Sequence, residues 1–192
     1  MRKIFCAGLL ALLVASLGCS TAYQTYRADV WGGRRLLDRG EYGQAREDFI
    51  KASRAQPDEP AAYALAATAS YKMNDIDAAS RLIGEAARRD SRGDAHVRIL
   101  GYRALILLKQ GKENAGLDAL HDYIAAYQHE YGPQNVRQVE GMWRRREVDM
   151  VSLERFLDDE IRIYEADMDQ FRRSGTGWFA QRYGTPTPSI RD

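Results

Sequence analysis

The chain has 192 residues, and its 28 Lys and Arg residues nearly balance 27 Asp and Glu residues, giving a formal net charge of +1 at pH 7. This length suits one domain of ordinary size. The balanced charge excludes a strongly basic nucleic-acid-binding protein, at least as judged by total charge, so we expect no nucleic-acid partner.

The first segment of the chain is apolar. Arg2 and Lys3 precede residues 4–17, which carry no charge and are mostly Leu, Ala and Val. This run is shorter than the roughly 20 residues that a membrane-spanning helix needs, and it lacks the polar face of an amphipathic core helix. A basic start, a short apolar run and small residues before a cleavage point are typical of an export signal. We therefore predict that residues 1–18 form a signal peptide rather than a buried core helix.

The end of that segment reads LVASLGCST, residues 13–21. It resembles the end of a bacterial lipoprotein signal peptide, because Gly18 and Cys19 match that pattern, although the two residues before Gly18 stand in a different order. The resemblance implies a lipid on Cys19, and Ser20 next to it implies the outer membrane, facing the periplasm. The alternative is ordinary cleavage near Ala15, which would leave a soluble periplasmic protein.

Cysteine usage favours lipidation. The only other cysteine, Cys6, lies in the segment that would be removed, so Cys19 has no disulfide partner in the exported product. A lone exported thiol is open to oxidation, whereas a thioether is not. Acyl chains contribute about 0.8 kcal/mol per buried methylene, so several chains on one residue would anchor the protein, with residues 19–25 as a tether.

The middle of the chain contains an internal repeat. Residues 39–57, RGEYGQAREDFIKASRAQP, place small, large and turn-forming residues at spacings that recur 34 residues later, and again after a three-residue insertion. The equivalent positions are Gly40, Asn74 and Gly111; Ala45, Ala79 and Gly116; Phe49, Ile83 and Leu120. These spacings resemble the tetratricopeptide repeat (TPR), in which each unit of about 34 residues is a pair of antiparallel helices.

The resemblance implies helix pairs at 26–39 with 42–56, at 60–73 with 76–89, and at 95–110 with 113–129. We therefore predict an all-α fold, a short TPR-like solenoid of antiparallel helix pairs over residues 26–130. An unrelated all-helical bundle is the alternative.

The next region, residues 131–174, is predicted to be helical but is not a fourth repeat. Apolar residues recur at every seventh position: Val136, Trp143, Met150, Leu157, Tyr164 and Phe171. Such a stripe packs on a partner helix. Because Arg146, Glu160 and Asp167 interrupt the second seam, we expect a long C-terminal helix that caps the last repeat, rather than a homodimer. A break near Gly141 or Asp149 is compatible with this interpretation.

The tail, residues 175–192, begins with Trp178, Phe179 and Tyr183. We expect these aromatic side chains to pack on the helical body; an exposed docking patch is the alternative. The Pro-containing end, residues 185–192, is expected to be extended.

Catalytic patterns are missing from the sequence. The three histidines, His96, His121 and His129, are not joined to carboxylates or cysteines at metal-ligand spacing. Nucleophile-elbow, phosphate-loop and dinucleotide motifs do not occur. We therefore predict no enzyme activity, no metal and no cofactor.

The resembled family binds peptides in a groove lined by the first helix of each pair. Transferring its groove positions gives a mainly cationic set: Arg27, Arg34, Thr68, Tyr71, Lys72, Arg98 and Lys109. Such a face should prefer acidic or carboxylate-bearing segments, although these residues could also be solubilising charges. The family's paired Lys and Asn pattern for gripping a carboxylate is not reproduced.

The functional hypothesis is a lipid-anchored periplasmic adaptor or scaffold that binds a partner envelope protein or peptide through this groove. The alternatives are a structural homodimerising lipoprotein, or a regulator of a cell-wall enzyme or of a secretion or pilus assembly complex.

Overall fold

The computed structural model describes residues 21–130 and 136–183. The predicted signal peptide, Cys19 and the extended end of the tail lie outside the described residues. The chain divides into two compact units, unit 1 (Met1–Ser91) and unit 2 (Arg92–Asp192).

The described residues form nine helices and no strand. Helix α1 covers residues 21–38. It is followed by α2 (Tyr42–Ala55), α3 (Pro60–Lys72), α4 (Ile76–Arg89), α5 (His96–Lys109), α6 (Glu113–Glu130), α7 (Arg137–Arg145), α8 (Met150–Ser174) and α9 (Trp178–Tyr183). The predicted all-α fold of antiparallel helix pairs is confirmed.

The same turn joins the two helices of each pair. Gly40, Asn74 and Gly111 all have left-handed backbones, with φ of 77°, 60° and 72°. Each donates its N–H to the carbonyl three residues earlier, at 3.0, 2.9 and 2.9 Å. The N–H of the next residue reaches the carbonyl five residues earlier, at 2.9, 2.9 and 3.0 Å. This pair of hydrogen bonds defines the Schellman motif at the end of a helix. The repeat in the sequence therefore corresponds to a repeat of backbone geometry.

The core of unit 1 forms where α1, α2 and α3 meet. Its buried residues are Ala45, Phe49, Leu65, Ala66 and Ala69, with Val30, Leu36, Leu37, Ile50 and Leu82 packed against them. A Cβ atom at Gly33 would lie 2.6 Å from Cε1 of Phe49. Glycine at this position therefore lets α1 approach the Phe49 ring.

Polar contacts fix the ends of the unit 1 helices. The Asp75 carboxylate caps α4 by accepting the Ala78 N–H at 3.1 Å, and it also accepts a bond from Arg46 of α2 at 2.9 Å. At the other end of α4, Arg89 donates to the Pro57 carbonyl at 2.6 Å. These contacts tie α4 to both α2 and the loop between α2 and α3.

In unit 2, the helix hairpin α5–α6 packs against α8. The apolar face of α8 is buried through Leu153, Leu157, Ile161 and Tyr164. A Cβ atom at Gly101 of α5 would lie 3.0 Å from Cδ1 of Ile161, so the missing side chain allows a close approach. The stripe predicted from the sequence is partly covered in this unit: Val136, Leu157 and Tyr164 are buried, and Trp143, Met150 and Phe171 are half-buried.

The stripe is divided between two helices. Helix α7 ends at Arg146, which adopts a left-handed conformation with φ of 54°. Helix α8 then starts after Asp149, whose carboxylate accepts the Ser152 N–H at 3.2 Å. The region is therefore a short and a long helix, with the break next to Asp149.

The aromatic start of the tail forms α9. Phe179 is 1% exposed and meets the ring of Tyr164 edge-on at 5.6 Å. The Trp178 ring contacts Phe179 at 5.1 Å, and Arg182 donates to the His129 carbonyl at 2.5 Å. Phe179 therefore belongs to the core of unit 2.

None of the helices in residues 21–130 and 136–183 is both long enough and apolar enough to cross a bilayer.

Candidate functional site

The seven predicted groove residues fall in both units. In unit 1, Arg27 is exposed and Arg34 half-buried on α1, whereas Thr68 and Tyr71 are buried on α3 and Lys72 is half-buried at its end. In unit 2, Arg98 is buried at the start of α5 and Lys109 is exposed at its end.

The two α3 residues expected to contact a peptide are inside the structure. Thr68 is 2% exposed and donates its hydroxyl to the Ala64 carbonyl at 3.0 Å, and Tyr71 is 5% exposed. The structure therefore places both of these predicted groove residues in the interior of unit 1.

Arg98, also predicted to line the groove, is buried in unit 2. Its Nε and one terminal nitrogen donate to the two carboxylate oxygens of Glu165 on α8, at 2.6 and 3.0 Å. The side chains of the two partners are only 9% and 11% exposed. Burial alone would lower the pKa of Arg98, but the Glu165 carboxylate raises it above its ordinary value. Arg98 is therefore one half of an internal ion pair.

A second polar contact lies one helical turn further along α5. Tyr102 donates its hydroxyl to the Asp158 carboxylate of α8. Burial, reinforced by the negative charge of Asp158, holds the pKa of Tyr102 well above its usual range, so the phenol stays protonated. Two donors of α5, Arg98 and Tyr102, thus hold two carboxylates of α8.

Another surface of unit 1 carries two exposed aromatic side chains. Tyr23, Arg27, Trp31 and Arg34 are spaced by four, four and three residues, so they share one side of α1. Tyr23 is 52% and Trp31 is 65% exposed, and the guanidinium of Arg35 lies 4.7 Å from the Trp31 ring centre. We call these four residues the α1 face.

The α1 face includes residues that the groove prediction missed. Tyr23 and Trp31 were not singled out, although their spacing from Arg27 was visible in the sequence. Arginine can grip a carboxylate with two parallel hydrogen bonds, and exposed tryptophan is enriched at binding hot spots. The α1 face therefore combines groups suited to binding an acidic protein segment.

The described part of the chain shows no group of three or more His, Cys, Asp or Glu residues that could hold a metal ion. His121 instead stacks on the Trp143 ring at 4.8 Å. The contacts described here are hydrogen bonds, ion pairs and ring packing.

Comparisons with known proteins bear on this fold. Residues 36–100 match the Tetratricopeptide repeat family. The TPR2B domain of yeast Sti1, solved as a TPR2B-domain:pHsp70 complex, matches 64% of this chain and 96% of its own, with a TM-score of 0.58 and 13% sequence identity. No curated protein sequence matches the chain significantly. Together with the three repeated turns, these matches show that the chain has an all-α tetratricopeptide-repeat fold.

Proposed function

We propose that this protein is a non-catalytic adaptor that binds a partner envelope protein through the α1 face. A lipid on Cys19 would hold it on the periplasmic side of the bacterial outer membrane. Helical-repeat proteins present preformed surfaces to their partners, and the TPR2B domain of Sti1 was solved as a complex of this kind.

The observation that carries the proposal is the exposure of Arg27 and Trp31 on the first helix of the first pair. Leaving a large aromatic residue in water gains nothing for folding, whereas covering it by a partner removes apolar surface from water. Arg34 and Lys72 add positive charge within the same unit. The preferred partner segment is therefore acidic.

Helix α8 offers only part of the predicted stripe to a second copy, because Leu157 and Tyr164 are buried within unit 2 while Met150 and Phe171 are half-buried. A partner that binds elsewhere on the chain is the simpler use of a TPR fold.

Site-specific photo-crosslinking in cells tests the proposed surface. A photoreactive residue replacing Trp31 should give one dominant adduct, and Arg27→Ala should reduce its yield by at least about tenfold, as expected for a hot-spot contact. The control is the same photoreactive residue at Arg81, which is exposed on α4 of the same unit. Equal adducts from the two positions would count against the α1 face.

Lipidation needs its own test. Labelling with an alkynyl fatty acid should mark the wild-type protein, and Cys19→Ser should abolish the label and release the protein from membranes. If Cys19→Ser remains labelled, or wild type is unlabelled and soluble in the periplasm, the lipid anchor is wrong. The interaction proposal would then stand or fall separately on the crosslinking result.

A further inference from the structure

Two helices of this chain carry similar pairs of hydrogen-bond donors, an arginine and an aromatic residue, at equivalent repeat positions. The turn glycines Gly40 and Gly111 define the offset between the first and third repeats. With the same offset, Arg27 is equivalent to Arg98, and Trp31 is equivalent to Tyr102. Each helix thus presents an arginine followed, four residues later, by an aromatic side chain with a single polar hydrogen.

In the third repeat, both donors are already bound to a helix. Arg98 grips Glu165 and Tyr102 donates to Asp158. These two carboxylates lie seven residues, or about two turns, apart on α8, so they face the same way. The earlier donor meets the later carboxylate, so α8 runs antiparallel to α5. Helix α8 is therefore an example, within this chain, of the ligand that such a donor pair accepts.

In the first repeat, the equivalent donors face solvent. Arg27 is exposed and Trp31 is 65% exposed. The indole N–H of Trp31, like the Tyr102 hydroxyl, can donate to a carboxylate, and the Arg27 guanidinium can grip one with two bonds. The donor groups that are buried against carboxylates on α5 are thus exposed on α1.

We propose that the α1 face binds an acidic amphipathic helix of a partner protein, with two carboxylates seven residues apart placed on Arg27 and Trp31. The bound helix runs antiparallel to α1, as α8 does to α5. This inference rests on the proposed adaptor function, and it specifies the secondary structure and charge spacing of the partner.

One difference between the repeats predicts a further property of the partner. Gly101 lies between the two donors of α5 and leaves room for Ile161 of α8. The equivalent residue of α1 is Val30, which packs against the core of unit 1. Because valine carries a Cβ and two methyl groups where Gly101 has none, a partner helix has less room there and needs a smaller residue than isoleucine between its two carboxylates.

The test uses three synthetic peptides that copy residues 150–174 of this chain. One has the native sequence, one carries Ile161→Ala, and one carries Ile161→Ala with Asp158→Asn and Glu165→Gln. Each is titrated into the full chain by calorimetry. We expect the Ile161→Ala peptide to bind more tightly than the native one. The neutralised peptide should bind at least about tenfold more weakly, because charge-assisted bonds are lost.

Variants of the full chain locate the binding. Arg27→Ala and Trp31→Ala should each weaken the Ile161→Ala peptide by at least about tenfold, whereas Arg81→Ala on α4 should leave it unchanged. Both substituted side chains are exposed, so folding should be preserved.

Several outcomes would overturn the inference: no binding, tighter binding of the native peptide, full affinity of the neutralised peptide, or binding that is insensitive to Arg27→Ala and Trp31→Ala. Insensitivity would mean that the peptide binds elsewhere, for example by displacing α8 from α5. Arg27-dependent dimerisation of the chain in sedimentation would also overturn it, because the occupant would be a second copy. A crosslink from position 31 that persists while the peptides fail would leave the adaptor proposal intact.

Discussion

Helices α1 and α5 begin equivalent repeats but have opposite surroundings. On α5, the guanidinium of Arg98 is buried against Glu165, and Tyr102 is bonded to Asp158. On α1, Arg27 and Trp31 occupy the same repeat positions and face water. The repeat therefore determines the position of a side chain on its helix, whereas the solvent exposure of that side chain depends on which other helix packs over it. In the third repeat, helix α8 covers positions whose equivalents in the first repeat are exposed.

The largest expected change in stability comes from removing the ion pair that buries Arg98 on α5. Glu165→Ala leaves the Arg98 charge buried without its carboxylate, which should lower the free energy of unfolding by about 3–5 kcal/mol. Arg27→Ala at the equivalent open position should change it by less than about 0.5 kcal/mol. Urea denaturation of both variants measures the contrast.

The control for this prediction is a double substitution. Arg98→Met together with Glu165→Leu replaces the pair by apolar side chains and should recover most of the loss. A single Glu165→Ala variant as stable as wild type would mean that α8 is not held to α5 by this pair.

The next largest change in stability is expected when α5 is given the residue that α1 has at the equivalent position. Gly101→Val introduces the side chain that α1 has at Val30, into a space where even a Cβ lies 3.0 Å from Ile161. We expect a loss of about 1–3 kcal/mol in urea denaturation, because the contact with α8 is overpacked. Gly84→Ala on α4, whose added Cβ would meet only the Arg88 side chain at 3.9 Å, is the control and should not destabilise. An equally stable Gly101→Val variant would show that Gly101 does not set the distance of α8.

A third prediction concerns the glycine turn that the first and third repeats share. Gly40→Ala and Gly111→Ala each place a side chain at a φ above 70°, so each should cost about 1–2 kcal/mol. Gly43→Ala lies inside α2 with nothing within 4 Å of the added Cβ, and should stabilise by about 0.5–1 kcal/mol. Thermal unfolding of the three variants gives the comparison. Unequal costs at Gly40 and Gly111 would contradict the equivalence of the two turns.

The smallest effect concerns the pH dependence of unit 2. Burial raises the pKa of Glu160, although its bond from the Tyr127 hydroxyl at 2.6 Å opposes this shift. A raised pKa means that the protonated carboxyl favours the folded state, and this contribution is lost as pH rises through the folded pKa. Glu160→Gln should therefore raise Tm by at most a few degrees at pH 7, and leave it unchanged below about pH 4.

The control for this pH effect is Asp118→Asn, which alters an exposed carboxylate on α6 of the same unit. It should not reproduce the pH-dependent gain. A Glu160→Gln variant that is less stable than wild type at pH 7 would contradict the sign of the prediction.

Much of the fold could be predicted because the repeat is a local signal. Turn residues such as Gly40 and Gly111 stop one helix and start the next within a few residues, so the resemblance of their spacing to the tetratricopeptide repeat is enough to place the helix pairs. The break after Arg146 is less predictable, because arginine has no preference for the left-handed backbone that it adopts there.

The candidate site was harder to predict, because accessibility is a long-range property. Arg98 looked like a groove residue by its repeat position, but its partner Glu165 lies 67 residues further along the chain. No periodicity indicates which helix α8 covers. Trp31, in contrast, could have been found from its four-residue spacing to Arg27 on a predicted helix.

The separation between Arg98 and Glu165 also orders events during synthesis. Hairpins such as α5–α6 join neighbouring stretches of chain and can close as soon as both helices emerge from the ribosome. Helix α8 emerges later, so Arg98 and Tyr102 of the nascent third repeat stay exposed until α8 has been synthesised. We expect a nascent chain arrested before α8 to offer two acid-binding sites, of which the finished molecule retains the one on α1.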